Sequence, residues 1–171
     1  STLVASFEGF LGIVRLLLDA GADINAVNDE GFSALLAAAS NGYLEVVNYL
    51  TTRGAKSETL QLQNNLVSPG NLFGSSREEV DLQIDSNENN VSEPFYELIS
   101  AAIEGRLSVV NQLLDKGAQV NKTDDVGRTA LMEASSFGRY GVVKRFLEAG
   151  AEVNVADNQK MTALMLATLE G

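Results

Sequence analysis

The fold class this sequence predicts is an all-α solenoid of short turn–helix–helix units, joined by turn or β-hairpin arms and interrupted by an acidic segment. Three observations predict it. Glycine recurs at positions 9, 42, 105, 138 and 171, with spacings of 33 residues and a single gap of 63. A second glycine recurs, each time followed by alanine: Gly21-Ala22, Gly54-Ala55, Gly117-Ala118 and Gly150-Ala151. The apolar stretches between these glycines are too short to be stable helices alone, so stacking of neighbours must supply their stability.

The most complete copy runs from Asp124 to Asn154. Gly127, Thr129, Ala130 and Leu131 open a first helix that Gly138 ends, and Val142-Val143-Lys144-Arg145-Phe146-Leu147 forms a second that closes on Ala149-Gly150-Ala151. Asn154 aligns with Asn25 and Asn121. A 33-residue period with this punctuation resembles the ankyrin repeat, and the resemblance covers everything outside roughly 57–93.

In chain order, unit one (1–24) keeps only the end of its first helix, Leu3-Val4-Ala5-Ser6, which Gly9 is expected to end. Its second helix runs from Leu11 to Ala20. Unit two is complete: Asn28-Asp29-Glu30-Gly31 supplies a turn, Ser33 an N-cap, and Ala37-Ala38-Ala39 a surface that lets helices approach closely. Residues 57–93 break the pattern, with seven acids against the single Arg77, and their composition predicts an acidic, disordered linker or insertion. A degenerate repeat there is disfavoured by Pro69-Gly70, which falls where a helix interior belongs. Unit three opens on Pro94, suited to a first helical turn. Its polar Glu97 and Ser100 suit the outer face of a terminal repeat. Units four and five follow, the fifth with Lys160 where the others have Gly31 and Gly127. Because the fifth ends before its second helix, Met165, Leu166 and Leu169 are expected to be partly uncovered. The expected organisation is therefore repeats over 1–56, a linker over 57–93 and repeats over 94–171, cut from a longer protein.

Composition narrows the chemistry. The chain has 171 residues, no cysteine, no histidine and a net charge of −11. Nucleophile systems that depend on Cys or His, and imidazole or thiolate zinc sites, are therefore excluded. The charge argues against nucleic acid as a partner, and no apolar run is long enough to insert into a membrane. No cofactor is expected and no enzymatic activity. An incomplete calcium-type loop at Asp85, Asn87 and Asn89 lacks its glycine and its bidentate glutamate. The sequons at Asn90 and Asn121 read as chance, and Ser68, Ser75 and Ser76 as possible phosphorylation positions.

The ankyrin resemblance implies a protein–protein interaction module that binds along a concave face of hairpin tips and first helices. Carried over by position, the tips are Val27, Asp29, Glu30 and Phe32; Thr123, Asp125, Val126 and Arg128; and Ala156, Asn158, Gln159 and Met161. The stripe beside the helix-ending glycines is Phe7-Glu8, Ser40-Asn41, Ile103-Glu104, Ser136-Phe137 and Leu169-Glu170. Phe32, Phe137 and Met161 are the expected anchors, and the acids suit a protein partner with basic residues. Arg139, Lys144 and Arg145 read as solvated. The rival reading is a regulatory sensor that binds a small ligand or modified peptide to control an attached catalytic domain. Cytoplasm, or the nucleus, is the expected location.

Overall fold

The computed structural model describes residues 2–56 and 94–169, with side chains from Phe10 onward; the expected acidic linker, the calcium-type loop, Asn90 and the three linker serines lie outside the described residues. Eight helices are present among them. They are α1 (Thr2–Asp19), α2 (Ala34–Ser40), α3 (Leu44–Thr52), α4 (Pro94–Glu104), α5 (Leu107–Asp115), α6 (Ala130–Ser136), α7 (Tyr140–Glu148) and α8 (Ala163–Leu169). Isolated antiparallel bridges, Val27 to Ser33, Thr123 to Thr129 and Ala156 to Thr162, close the three hairpin arms.

Local chemistry sets the helix starts. The Ser33 and Thr129 hydroxyls accept from the Leu36 and Met132 amides at 3.2 and 3.3 Å, capping α2 and α6. Thr162 does the same for the Met165 amide at 3.4 Å. These three helices, α2, α6 and α8, then bury nearly all their side chains: Leu35, Leu131 and Leu164 are each almost fully enclosed.

The helices form two layers whose order departs from the order of the chain. The first-helix layer runs α4, α6, α8, α2, and the second-helix layer runs α5, α7, α1, α3. Three pairs, α4–α5, α6–α7 and α2–α3, are consecutive in sequence. The fourth is composite: α8, the first helix of unit five, pairs with α1, the second helix of unit one. Residues 2–56 and 94–169 thus pack into one stack, with residue 94 at one end and residue 56 at the other.

Two expectations change here. Gly9 does not end a helix: α1 runs through it without a break, because α8 already fills the first-helix place beside α1. Nor are Met165 and Leu166 uncovered. They are 1% and 5% exposed, because α1 covers α8 from behind and α2 from the side. By contrast Glu97 and Ser100 are exposed at the α4 end of the stack, where the outer face of a terminal repeat belongs.

Candidate partner-binding groove

The groove is built by a device that recurs in every arm. An Asn or Asp at the start of the turn folds the backbone onto its own side chain. The Asn28 Oδ1 accepts from the Glu30 and Phe32 amides at 3.0 and 2.8 Å. The Asp124 Oδ1 accepts from Val126 and Arg128 at 3.0 and 2.8 Å, and that of Asp157 from Gln159 and Met161 at 2.9 Å each. The fourth turn residue needs a positive φ, which Gly31 and Gly127 supply at 76° and 82° and Lys160 supplies under strain at 60°.

Each arm is then fixed to the next along the stack. Arg128 reaches from its own arm to the Asp157 Oδ2 at 3.3 Å and to the Glu133 Oε1 at 3.2 Å. Burial works to lower the Arg128 pKa, but the two carboxylates more than offset it and hold it above its ordinary value. At the following joint Met161 takes the place of Arg128 and Asn28 that of Asp157, with the Asn28 amide donating to the Met161 sulfur at 3.7 Å. Asn158 leans on the preceding tip, its backbone amide on the Val126 carbonyl at 3.0 Å and its side chain on that of Asp125 at 3.2 Å.

Behind the tips, the aligned asparagines fasten the loops after the second helices. The Asn121 Oδ1 accepts from the Glu152 amide at 2.8 Å, and its Nδ2 donates to the Gly150 carbonyl at 3.2 Å. The Asn154 Oδ1 accepts from the Asp23 amide at 2.7 Å, and its Nδ2 donates to Gly21 at 3.0 Å. The Asn25 Oδ1 accepts from Lys56 at 2.9 Å. The Asn121 sequon therefore falls on a side chain already engaged in the stack. At the helix-ending stripe, the Arg139 Nε donates to the Ile103 carbonyl and the Asn41 Nδ2 to that of Leu169, both at 2.7 Å.

These contacts align the expected site residues as one line in a new order. Ile103 and Glu104 come first, then Thr123, Asp125, Val126, Ser136 and Phe137. Asn158 and Gln159 follow, and then Val27, Asp29, Glu30, Ser40 and Asn41. Val27, Val126 and Phe137 expose 49%, 54% and 42% of their surface. Asp29, Glu30, Asp125 and Glu104 lie exposed along the same line. Two expected anchors are corrected. Met161 is buried, because the next arm's Asn28 closes over it, and Phe32 is half-buried against the core. Arg128 is half-buried as the tie between arms rather than a free tip residue. Arg145 is likewise engaged, with the Asn111 Oδ1 at 2.7 Å and Asp115 at 3.8 Å, and Arg139 holds Ile103. Sequence reasoning placed Asn28 at the start of a turn but missed the side-chain role it shares with Asp124 and Asp157, although an Asn or Asp three residues before Gly31, Gly127 and Lys160 was there to be read.

Among the described residues no cluster of acids could hold a metal ion, and no helix is long and apolar enough to cross a membrane. Paired helices, bridged arms and asparagine ties repeated at one period define a protein of stacked ankyrin repeats. The chain belongs to the ankyrin-repeat family: the models "Ankyrin repeats (3 copies)" and "Ankyrin repeats (many copies)" match residues 98–171 and 3–51. Among curated proteins it is similar to the Ankyrin repeat and KH domain-containing protein mask-1 of Caenorhabditis elegans, 32% identical over 141 residues. That match takes in 78% of this chain and 5% of the relative. It is also similar to Notch-regulated ankyrin repeat-containing protein A of Danio rerio, 46% identical over 50 residues, which is 29% of this chain and 45% of the relative. The corresponding Homo sapiens protein is 46% identical over 46 residues, 27% of this chain and 40% of the relative. The chain thus spans less than half the length of each. Ankyrin repeats are generally protein–protein interaction modules, and families built of them are typically scaffolds without catalysis.

Proposed function

We propose that this chain holds a protein partner along the groove from Ile103 to Asn41, and that the partner offers apolar side chains flanked by basic ones. The observation that carries the reading is the exposure of Val126, Phe137 and Val27 in one line with Glu104, Asp125, Asp29 and Glu30. Aromatic anchors contribute most of the affinity at interfaces. Acids around them speed and orient the approach of a basic partner more than they tighten the complex.

A panel of peptides, each with one aromatic or leucine anchor between lysines or arginines, tests this by NMR titration of the whole chain. Shifts confined to the tips and the Ile103–Asn41 stripe are expected, with affinity falling as salt rises. Phe137→Ala is expected to weaken a bound peptide by about 2 kcal/mol, some thirtyfold, while leaving the melting temperature unchanged. Shifts on α3, α5 and α7 instead would place binding on the opposite face and sink the proposal.

A further inference from the structure

The place occupied by α8 has two candidates in this chain. Read by repeat position, residues 3–9 (Leu-Val-Ala-Ser-Phe-Glu-Gly) are the counterpart of residues 165–171 (Met-Leu-Ala-Thr-Leu-Glu-Gly). Ala5, Glu8 and Gly9 are identical to Ala167, Glu170 and Gly171, and the other positions pair residues of like character. Both stretches fall within the ankyrin-repeat matches. Both also lead to the same second helix. Residues 2–9 run into it through the chain, and 163–169 pack on it through space. In the structure α8 fills the place between α6 and α2, and residues 2–9 continue α1 as extra helical turns.

The hinge that would exchange them is present. At Gly42, Gly105 and Gly138 a first helix ends with φ of 74°, 74° and 67°, and the chain turns back into the second helix. Gly9 is the same residue at the same repeat position, one residue before Phe10, yet it lies inside a continuous helix. Converting Gly9 from the right-handed to the left-handed region meets no Cβ penalty and places residues 2–8 antiparallel to the rest of α1. The pairing observed also has a reason to prevail. Thr162 caps α8 and Asn41 ties its end at Leu169, whereas residues 2–8 carry Thr2 where α8 has the buried Leu164.

We propose that the place of α8 is a helix-docking site for which residues 2–8 are a second occupant: they fold back at Gly9, displace α8, and complete the central unit from the N-terminal side. The stack stays four units long in either arrangement, and exchange releases α8 with its arm. The arm carries Asn158 and Gln159, so the exchange would remove one tip from the middle of the groove.

Amide hydrogen exchange and thermal melting of the full chain test this with Leu3→Asp, Met165→Asp and the pair together. In the unchanged chain, protection is expected at 163–169. Leu3→Asp alone should leave the melting temperature where it is. Met165→Asp should expel α8, shift protection from 163–169 to 2–8, and leave α2, α6 and α1 beyond Gly9 protected. Adding Leu3→Asp to it should then abolish that protection and lower the melting temperature by more than the sum of the two single effects. Should Met165→Asp prevent folding, Met165→Ala with and without Leu3→Asp makes the same comparison in a milder background. Strictly additive effects, or no gain of protection at 2–8 when α8 is weakened, would overturn the proposal.

Discussion

The stack contains two kinds of joint, and comparing them shows how little the packing depends on chain connectivity. Between α4–α5 and α6–α7 the chain runs directly from one unit to the next, Asn121 holding Gly150 and Glu152. Between α6–α7 and the composite α8–α1 pair, Asn154 holds Gly21 and Asp23, residues more than a hundred positions away. The contacts nevertheless match, group by group. Arg139 lies against Gly105, where an added Cβ would meet its Cδ at 2.9 Å, and Phe10 lies against Gly138 with the same 2.9 Å approach to its ring. Leu107 covers Gly141 as Tyr140 covers Gly12. A repeat joint is therefore specified by the faces that meet, since each unit interacts only with its neighbours.

The comparison breaks most visibly in the core. Leu17 in α1 and Leu113 in α5 hold the same repeat position and are both buried. Leu17→Ala and Leu113→Ala are each expected to cost about 2–5 kcal/mol and to lower one shared unfolding transition. A Leu17→Ala chain that kept its main transition and lost only a minor one would show the composite pair to be an accessory. The arms give the next largest difference. Arg128→Met leaves Glu133 and Asp157, 10% and 3% exposed, without their cation, and should cost about 1–3 kcal/mol in denaturant titration. The figure stays below that for a fully buried pair because Arg128 itself is 31% exposed.

Finer substitutions sharpen the equivalence. Asn154→Ala and Asn121→Ala each remove two hydrogen bonds at exposed loops and should each cost about 1 kcal/mol. Equal losses would show that the long-range tie is as strong as the local one. Lys160→Gly should act in the opposite sense. It relieves a left-handed backbone at φ 60° and is expected to stabilise by about 0.5–1 kcal/mol, less than the full strain because glycine loses more freedom on folding. A calorimetric scan reads it directly.

Much of this fold was legible because its determinants are local. The 33-residue glycine period, the Ser33 and Thr129 caps and the alanine-rich first helices each act within a few residues of themselves. The stacking order was not legible, because the period says which faces match and not which copies meet. The clue was nonetheless present: residues 3–9 and 165–171 hold the same repeat positions, Gly9 matching Gly171. The burial of individual tip residues was not legible, for a related reason. Met161 stands at a surface position of its own unit, and only the neighbouring arm's Asn28 buries it. Arg145 likewise read as solvated until the side chain of Asn111 came into reach, whereas Arg139 stays exposed while its Nε holds the Ile103 carbonyl.

The composite pair also changes how the molecule would bear a mechanical load. A solenoid pulled at the two ends of its stack peels unit by unit from the outside. Here tension applied through α1 and α8 enters and leaves the same interior pair, so it acts first on the contacts between those two helices and spares the outer pairs. Rupture there, followed by loss of the α2–α8 and α1–α7 contacts, would divide the stack at its middle into halves still joined through residues 57–93, each carrying the surface needed to close again.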